Sequence, residues 1–209
     1  RLAMLLPLCG AALMPAAEFK VTCTPQMSPA LVLPAPAKIM KVTWTTGIKG
    51  YTIWKDGTPF VTVHPYRLEE GNGVKGVLPP GRYILRATGG SVTIHLQTGY
   101  SPEKITLWGI QNAVVTPRTD GNRIVLATPT AIVEAAYDGT DGMGIFMGDK
   151  RVLYYVSPHN VRNHGPKVIG GTGGKTLVGQ VLPAGVYMLV PGRGTATGRV
   201  FGKVVLEVK

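Results

Sequence analysis

The sequence predicts an all-β protein built from two tandem antiparallel β-sandwich domains that are related by internal duplication. Three observations support this prediction. Similar segments occur twice along the chain, and no long window has a helical period of apolar residues. The 28 Gly and 17 Pro residues are abundant, whereas charged residues make up only 16% of the chain. Such a composition is typical of a turn-rich chain with little charged helix surface.

Two anchors define the duplication. Leu31-Val32-Leu33 aligns with Ile124-Val125-Leu126 at an offset of 93, and Val77 to Leu85 aligns with Val181 to Leu189 at an offset of 104. Other positions match at the first offset: Pro36 with Pro129, Ile39 with Ile132, Trp44 with Tyr137, Asp56 with Asp149 and Pro65 with Pro158. Two copies are too few for a solenoid, so we expect tandem domains at residues 31–118 and 119–209, preceded by a segment at residues 1–30.

Each copy contains a predicted β-hairpin. In the first copy, residues 51–55 and 59–63 are rich in β-branched and aromatic side chains and flank a turn at Asp56-Gly57. In the second copy, residues 144–147 and 152–156 flank a similar turn. An Asp-Gly pair between two such runs is a strong hairpin signal.

A Pro-Gly turn then leads into further strands. Leu78-Pro79-Pro80-Gly81 precedes Arg82-Tyr83, and Leu182-Pro183-Ala184-Gly185 repeats this arrangement. Later strands are expected at residues 91–96 and 200–208, and the first of these alternates, with Val92, Ile94 and Leu96 on one face. Two more strands are expected within residues 105–115. Residues 127–136 come closest to a helical pattern, but their counterpart contains Pro34 and Pro36, so we do not expect a helix there.

The repeated Leu-Pro-X-Gly-X-Tyr turn, at Leu78 to Tyr83 and Leu182 to Tyr187, resembles the turns of bacterial immunoglobulin-like and related surface β-sandwich modules. The resemblance covers about nine residues in each copy. It implies sandwich domains of an immunoglobulin-like or jelly-roll-like type, and it says nothing of a particular function.

Residues 2–17 form an apolar stretch that resembles the hydrophobic part of a secretory signal, and it is too short for a transmembrane helix. If this segment is retained, it becomes an apolar arm that another subunit could cover. The candidate contact residues of that arm are Leu2, Leu5, Leu6, Leu8, Leu13 and Phe19. Cys9 and Cys23 could pair in an oxidising compartment, and Cys23 would be unpaired if the segment is cleaved.

Catalytic and cofactor motifs are weak, so we expect no enzyme activity and no cofactor. The run Gly173-Gly174-Lys175-Thr176 lacks the earlier Gly of a phosphate loop and does not lead into a helix. His159 and His164 are the nearest approach to a metal site, but zinc requires more ligands. Several of the 11 acidic residues lie in turns, where they cap backbone N–H groups, and no Gly-X-Ser-X-Gly pattern is present.

Aromatic residues offer a second candidate site. Trp44 and Tyr83 have aromatic counterparts in the second copy, which indicates core positions. Trp108 has no counterpart, so Trp108 and the nearby Tyr100 are the candidates for an exposed platform that stacks on sugar rings.

The net charge of +11 indicates an anionic partner, either glycans, lipids or neighbouring subunits. Nucleic acid is not the expected partner, because the basic residues are scattered. The sequence thus predicts a non-catalytic structural protein, secreted, on the cell surface or in a virion. It would be a subunit of a filament, sheath or capsid-associated assembly that self-associates through the arm and strand edges. The alternative is a β-sandwich module that binds glycans or an anionic surface.

Overall fold

The computed structural model describes residues 16–64, 73–112, 118–138, 142–156, 177–192 and 199–208. These residues form β-strands and turns, and no helix occurs among them, so the predicted all-β class is confirmed. The strands are β1 (Ala17–Cys23), β2 (Ala30–Leu33), β3 (Ala37–Trp44), β4 (Gly50–Lys55), β5 (Thr58–Val63), β6 (Val74–Leu78), β7 (Gly81–Thr88), β8 (Val92–Thr98), β9 (Glu103–Asn112), β10 (Arg118–Gly121), β11 (Arg123–Leu126), β12 (Thr130–Asp138), β13 (Gly142–Met147), β14 (Lys150–Val156), β15 (Val181–Leu182), β16 (Gly185–Pro191) and β17 (Arg199–Val208).

The strands form three sheets. The largest has eight strands in the order β1-β8-β3-β6-β11-β16-β13-β14. A five-stranded sheet has the order β10-β9-β17-β12-β15, and a four-stranded sheet has the order β2-β7-β4-β5. The eight-stranded sheet therefore contains strands from both halves of the chain.

Alternating side chains bury one face of β8, as the sequence predicted. Val92, Ile94 and Leu96 are buried there, while Thr93 and His95 are half-buried. These apolar residues form one cluster with Ile53, Leu85 and other buried residues of the four-stranded sheet. A second cluster unites residues of β9, β12 and β17 with residues of β11, β13 and β16. Each cluster thus lies between strands of two different sheets.

The pairing pattern of the first half recurs in the second. The order β1-β8-β3-β6 is matched by β9-β17-β12-β15, and β2-β7-β4-β5 is matched by β11-β16-β13-β14. Irregular registers also recur, between Ile39 and Lys41 in β3 and between Ile132 and Glu134 in β12. Bulges of this kind bend a strand at a defined place, so both halves bend the corresponding strand at the same position.

The Tyr of the repeated turn motif has the same hydrogen bond in each half. The Tyr83 hydroxyl donates to the Pro79 carbonyl oxygen at 2.6 Å, and the Tyr187 hydroxyl donates to the Pro183 carbonyl oxygen at 2.8 Å. Both rings are buried, and their burial raises the pKa of each hydroxyl above its ordinary value. A buried Tyr hydroxyl needs a partner, and the turn carbonyl four residues earlier supplies it.

One pair of strands corrects the prediction of purely antiparallel sheets. β6 and β11 are parallel, with Val74, Lys75 and Gly76 opposite Arg123, Ile124 and Val125. Every other strand pair in the described part of the chain is antiparallel. This parallel pair joins the two halves into one sheet.

The parallel pair places the two clusters on opposite faces of the shared sheet. Val125 belongs to the first cluster, whereas its neighbours Ile124 and Leu126 belong to the second. Successive residues of a strand point to opposite faces, so the clusters lie on either side of β11. Gly76 makes this approach possible: its φ is +101°, and a Cβ there would overlap the Val125 carbonyl oxygen.

The predicted hairpins are confirmed as β4–β5 and β13–β14. Residues 127–136 form no helix, as expected, and most of them lie in the strand β12. Two strands were expected within residues 105–115. Residues 105–112 belong to the single strand β9, and residues 113–115 lie outside the described part of the chain. β9 pairs with β17 and contributes Ile105 and Leu107 to the second cluster.

Candidate functional site

A cleft of about 560 Å³ lies where β3 and β6 of the first half face β9. Four lysines line it, namely Lys38, Lys41, Lys75 and Lys104. Glu103 is the one carboxylate among the lining residues that the structure describes. The cleft therefore carries a net positive charge, and anions are the ligands that it favours.

One lysine of the cleft has a close carboxylate. Lys38 Nζ donates to Glu103 Oε2 at 2.5 Å, and the Lys38 side chain is only 14% exposed. Because Lys38 lies on β3 and Glu103 on β9, this pair links the two halves at the base of the cleft. Lys104 Nζ lies 3.5 Å from Glu134 Oε1, where both side chains are well exposed. An exposed pair of this kind is weak, so Lys104 stays accessible to a ligand.

A second, shallower groove of about 380 Å³ shares Met40 and Lys41 with the cleft. It runs along β1 and β8 and adds Lys20 and His95 to the basic surface, together with the carboxylate of Glu18. Trp44 lines the cleft and also packs against the first cluster. The ring is thus partly available to a ligand, although the sequence indicated a core position.

Two edge strands, β2 and β15, are further candidate sites, each on a different sheet. In the described residues, β2 pairs only with β7, and β15 pairs only with β12. Val32 on β2 is 67% exposed, and Val181 on β15 is 57% exposed. A sheet edge with exposed apolar side chains is a surface on which another strand can pair.

The aromatic candidates Trp108 and Tyr100 are less exposed than the sequence suggested. Trp108 lies on β9 and is half-buried, and its backbone N–H donates to Asn122 Oδ1 at 2.8 Å. Tyr100 is also half-buried, packs against the second cluster, and has its pKa raised by burial. Sugar stacking on these rings remains a prediction.

The predicted arm of residues 1–30 includes β1, which pairs with β8 over seven residues. Phe19 lies on this strand and packs against the first cluster, so its partner is the chain's own core. The other arm candidates, Leu2, Leu5, Leu6, Leu8 and Leu13, lie outside the described residues. Cys23 is buried and free, and burial raises the pKa of its thiol, which disfavours the reactive thiolate.

The candidate ligands for a metal or a phosphate, His159, His164 and the run at residues 169–176, also lie outside the described residues. Within the described ranges, no three His, Cys, Asp or Glu side chains are grouped so as to hold a metal ion. The same ranges contain no helix that could span a membrane.

Neither the cleft nor the role of Gly76 was predicted from the sequence. Lys38, Lys41 and Lys75 lie on the paired strands β3 and β6, and Lys104 joins them because β9 leaves the first half to pair with β17. One signal was present: Gly76 aligns with Gln180, so this glycine is not part of the shared turn motif. An unshared glycine inside a strand indicates a close backbone approach.

Comparison of the chain with family models, with curated proteins and with solved structures gives no match. The function must therefore be argued from the cleft and the sheet edges themselves.

Proposed function

We propose that this chain is a non-catalytic structural protein of two tandem β-sandwich domains that arose by duplication, and that it is a subunit of an extracellular or virion assembly. Subunit contacts form through strand edges and the N-terminal segment. The observation that carries the proposal is that two of the edge strands, β2 and β15, expose apolar Val32 and Val181. Proteins normally protect a sheet edge with charges or prolines, and neither strand contains one, so these edges favour a partner strand.

The strand orders refine the type of sandwich. Numbered along the first half, the sheets run 1-8-3-6 and 2-7-4-5, and the second half follows the same scheme with β10 added. This order supports the jelly-roll type of sandwich over the immunoglobulin-like type. Jelly rolls occur in capsid and lectin domains, which is an analogy of fold and agrees with either a structural or a binding role.

The test is the solution mass of the full chain by sedimentation velocity over a hundredfold range of concentration. We expect species larger than the 22.2 kDa chain that grow with concentration. A single species of one chain at every concentration would overturn the proposal. A chain that lacks residues 1–15 leaves β1 intact and separates the two kinds of contact: continued growth assigns assembly to the edges, and its loss assigns assembly to the N-terminal segment.

The lysine cleft favours a second candidate function, the binding of an anionic glycan. Lys41 and Lys75 are exposed, and no carboxylate lies within ion-pair distance of either among the described residues. A sulfated oligosaccharide presents repeated negative charges, which suit the spread of lysines along the cleft and the adjoining groove.

Titration calorimetry with a heparin oligosaccharide tests this second candidate. Lys41→Glu combined with Lys75→Glu should weaken binding at least tenfold and reduce its dependence on salt. The matched control is Lys49→Glu combined with Lys150→Glu, which makes the same change of net charge at exposed positions outside the cleft. Equal losses in both variants would show non-specific attraction and contradict a site in the cleft.

A further inference from the structure

The exposed apolar side chains at the outer strands have buried counterparts at the junction between the two halves. Val181 aligns with Val77, which is 2% exposed, and Val32 aligns with Val125, which is 0% exposed. Val178, also exposed, aligns with the buried Val74. The same three positions are thus buried in the copy that lies at the junction and exposed in the other copy.

The junction shows what covers these positions. Val77 lies on β6 of the first half but packs into the second apolar cluster. Val125 lies on β11 of the second half but packs into the first cluster. Each strand of the parallel pair therefore contributes one valine to the apolar cluster of the other half. The equivalent valines lie on β15 and β2, which are edge strands of two different sheets.

We propose that copies of this chain join head to tail, with β15 of one copy pairing in parallel with β2 of the next, as β6 pairs with β11 within the chain. This inference rests on the proposed assembly function and specifies which strands form the contact between copies. The register at the junction sets the register between copies. Gln180 of one copy lies opposite Val32 of the next, as Gly76 lies opposite Val125.

β15 lies beside β12 as β6 lies beside β3. Leu182 and Val181 pair with Thr130 and Ala131, as Leu78 and Val77 pair with Ala37 and Lys38. One position further on, the halves differ: Ile132 N–H donates to the Gln180 carbonyl at 2.9 Å, while Gly179 N–H donates to the Ile132 carbonyl at 2.8 Å. The positive φ also falls at Gly179 rather than at the position of Gly76, so the likeness of the two edges rests on residues 181–182.

Such a contact is heterologous, because it uses two different surfaces of the same chain. Repetition of a heterologous contact produces an open chain of subunits or a ring, depending on the rotation between neighbours. Each added copy buries one Val32 and one Val181 and leaves one of each at the ends. The assembly should consequently grow by single copies.

Two differences make the contact between copies weaker than the junction within the chain. Lys38 and Glu103 form an ion pair at the junction within the chain. At the contact between copies, the equivalent residues are Ala131 of one copy and Ala17 of the next, so this ion pair is absent. Gln180 also replaces Gly76, so the strands cannot approach as closely. Without a covalent link, the contact also costs translational freedom, so we expect association that depends on concentration.

The test uses two full-length variants, Val32→Lys and Val181→Lys, studied alone and mixed. Both residues are exposed, so the variants should fold, and circular dichroism checks this. Each variant retains one intact edge. Each should be monomeric alone, because a lysine cannot be buried at the contact without a partner. An equimolar mixture should form dimers and stop there, because the intact β15 of the first variant meets the intact β2 of the second.

Met147→Lys is the matched control, since Met147 is exposed and lies on β13, which has a neighbour on either side. It should assemble like the unaltered chain. If the unaltered chain and both valine variants assemble equally, the head-to-tail contact is wrong and the assembly function survives. If the single variants are monomeric and the mixture is also monomeric, pairing of β15 with β2 is wrong. If the unaltered chain itself is monomeric at every concentration, both proposals fail.

Discussion

The two halves of the molecule share the residues that shape the sheets and differ in the residues that line the cleft. Tyr83 and Tyr187 make the same hydrogen bond to a turn carbonyl, and the strand irregularities fall at matching positions. In contrast, the cleft residues Lys38, Lys41 and Lys75 align with Ala131, Glu134 and Gly179. The repeated residues therefore build the architecture, and the unrepeated ones belong to the junction and its cleft.

The largest effect on stability is expected at Gly76, a glycine that the second half does not share. Gly76→Ala should lower the free energy of unfolding by roughly 3 kcal/mol, because the added Cβ meets the Val125 backbone and the φ of +101° disfavours a side chain. Gly179→Ala is the control: its φ is +84°, but nothing lies within 4 Å of the added Cβ. It should cost only about 1 kcal/mol. Equal effects in urea unfolding would show that the junction does not need the close approach.

The two tyrosines allow the repeated feature to be compared directly. Tyr83→Phe and Tyr187→Phe each remove one hydrogen bond from a buried hydroxyl. Each should lower the free energy of unfolding by about 1 kcal/mol. Denaturant unfolding of the two variants measures both losses. A large loss in one variant and none in the other would contradict an equivalent role in the two halves.

Alkaline pH tests the same residues in another way. Burial raises the pKa of Tyr83 and of Tyr187, so the folded state holds these protons more tightly than the unfolded state. The resulting stability is fully present below the unfolded pKa of about 10 and is lost as the pH rises through the folded pKa. Unfolding free energies measured from pH 9 to 11 should decline, and the double Phe variant should decline less. An identical decline in both proteins would assign the effect to other groups.

The smallest effects on stability are expected at the two ion pairs, one at the junction and one exposed. Lys38→Met removes the pair with Glu103 at the junction and should cost about 1 kcal/mol, since the Lys38 side chain is mostly buried. Lys104→Met removes the exposed pair with Glu134 and should change the free energy of unfolding by less than about 0.5 kcal/mol. Thermal unfolding in low salt measures both. If Lys104→Met costs as much as Lys38→Met, the junction pair has no special role.

Local features of this fold were predictable from the sequence. The hairpin β4–β5 follows from Asp56-Gly57 between two apolar runs, and β8 follows from its alternation of apolar and polar residues. These signals depend on neighbours in sequence. The parallel pairing of β6 with β11 has no such signal, because it depends on which sheet edge meets which after both halves have folded.

The candidate sites depend on that same pairing. The cleft lysines lie on three strands: β3 and β6 pair within the first half, and the position of β9 adds Lys104. The aromatic candidates were chosen because Trp108 lacks a counterpart, but this residue is half-buried in the folded chain. Sequence alignment of the two halves did identify the equivalent valines, whose exposure only the structure could reveal.

The measurement that tests the central claim most directly is disulfide trapping between copies. Val32→Cys and Gln180→Cys are combined in a chain whose own Cys9 and Cys23 are replaced by Ser and Ala. Paired residues of adjacent strands lie within the range of Cα separations that a disulfide can span. We predict a ladder of covalent multimers on a non-reducing gel after mild oxidation. A control that combines Met147→Cys with Gln180→Cys should give no ladder. A double variant that stays a single chain under oxidation, at concentrations where the unaltered protein assembles, would contradict the head-to-tail pairing of β15 with β2.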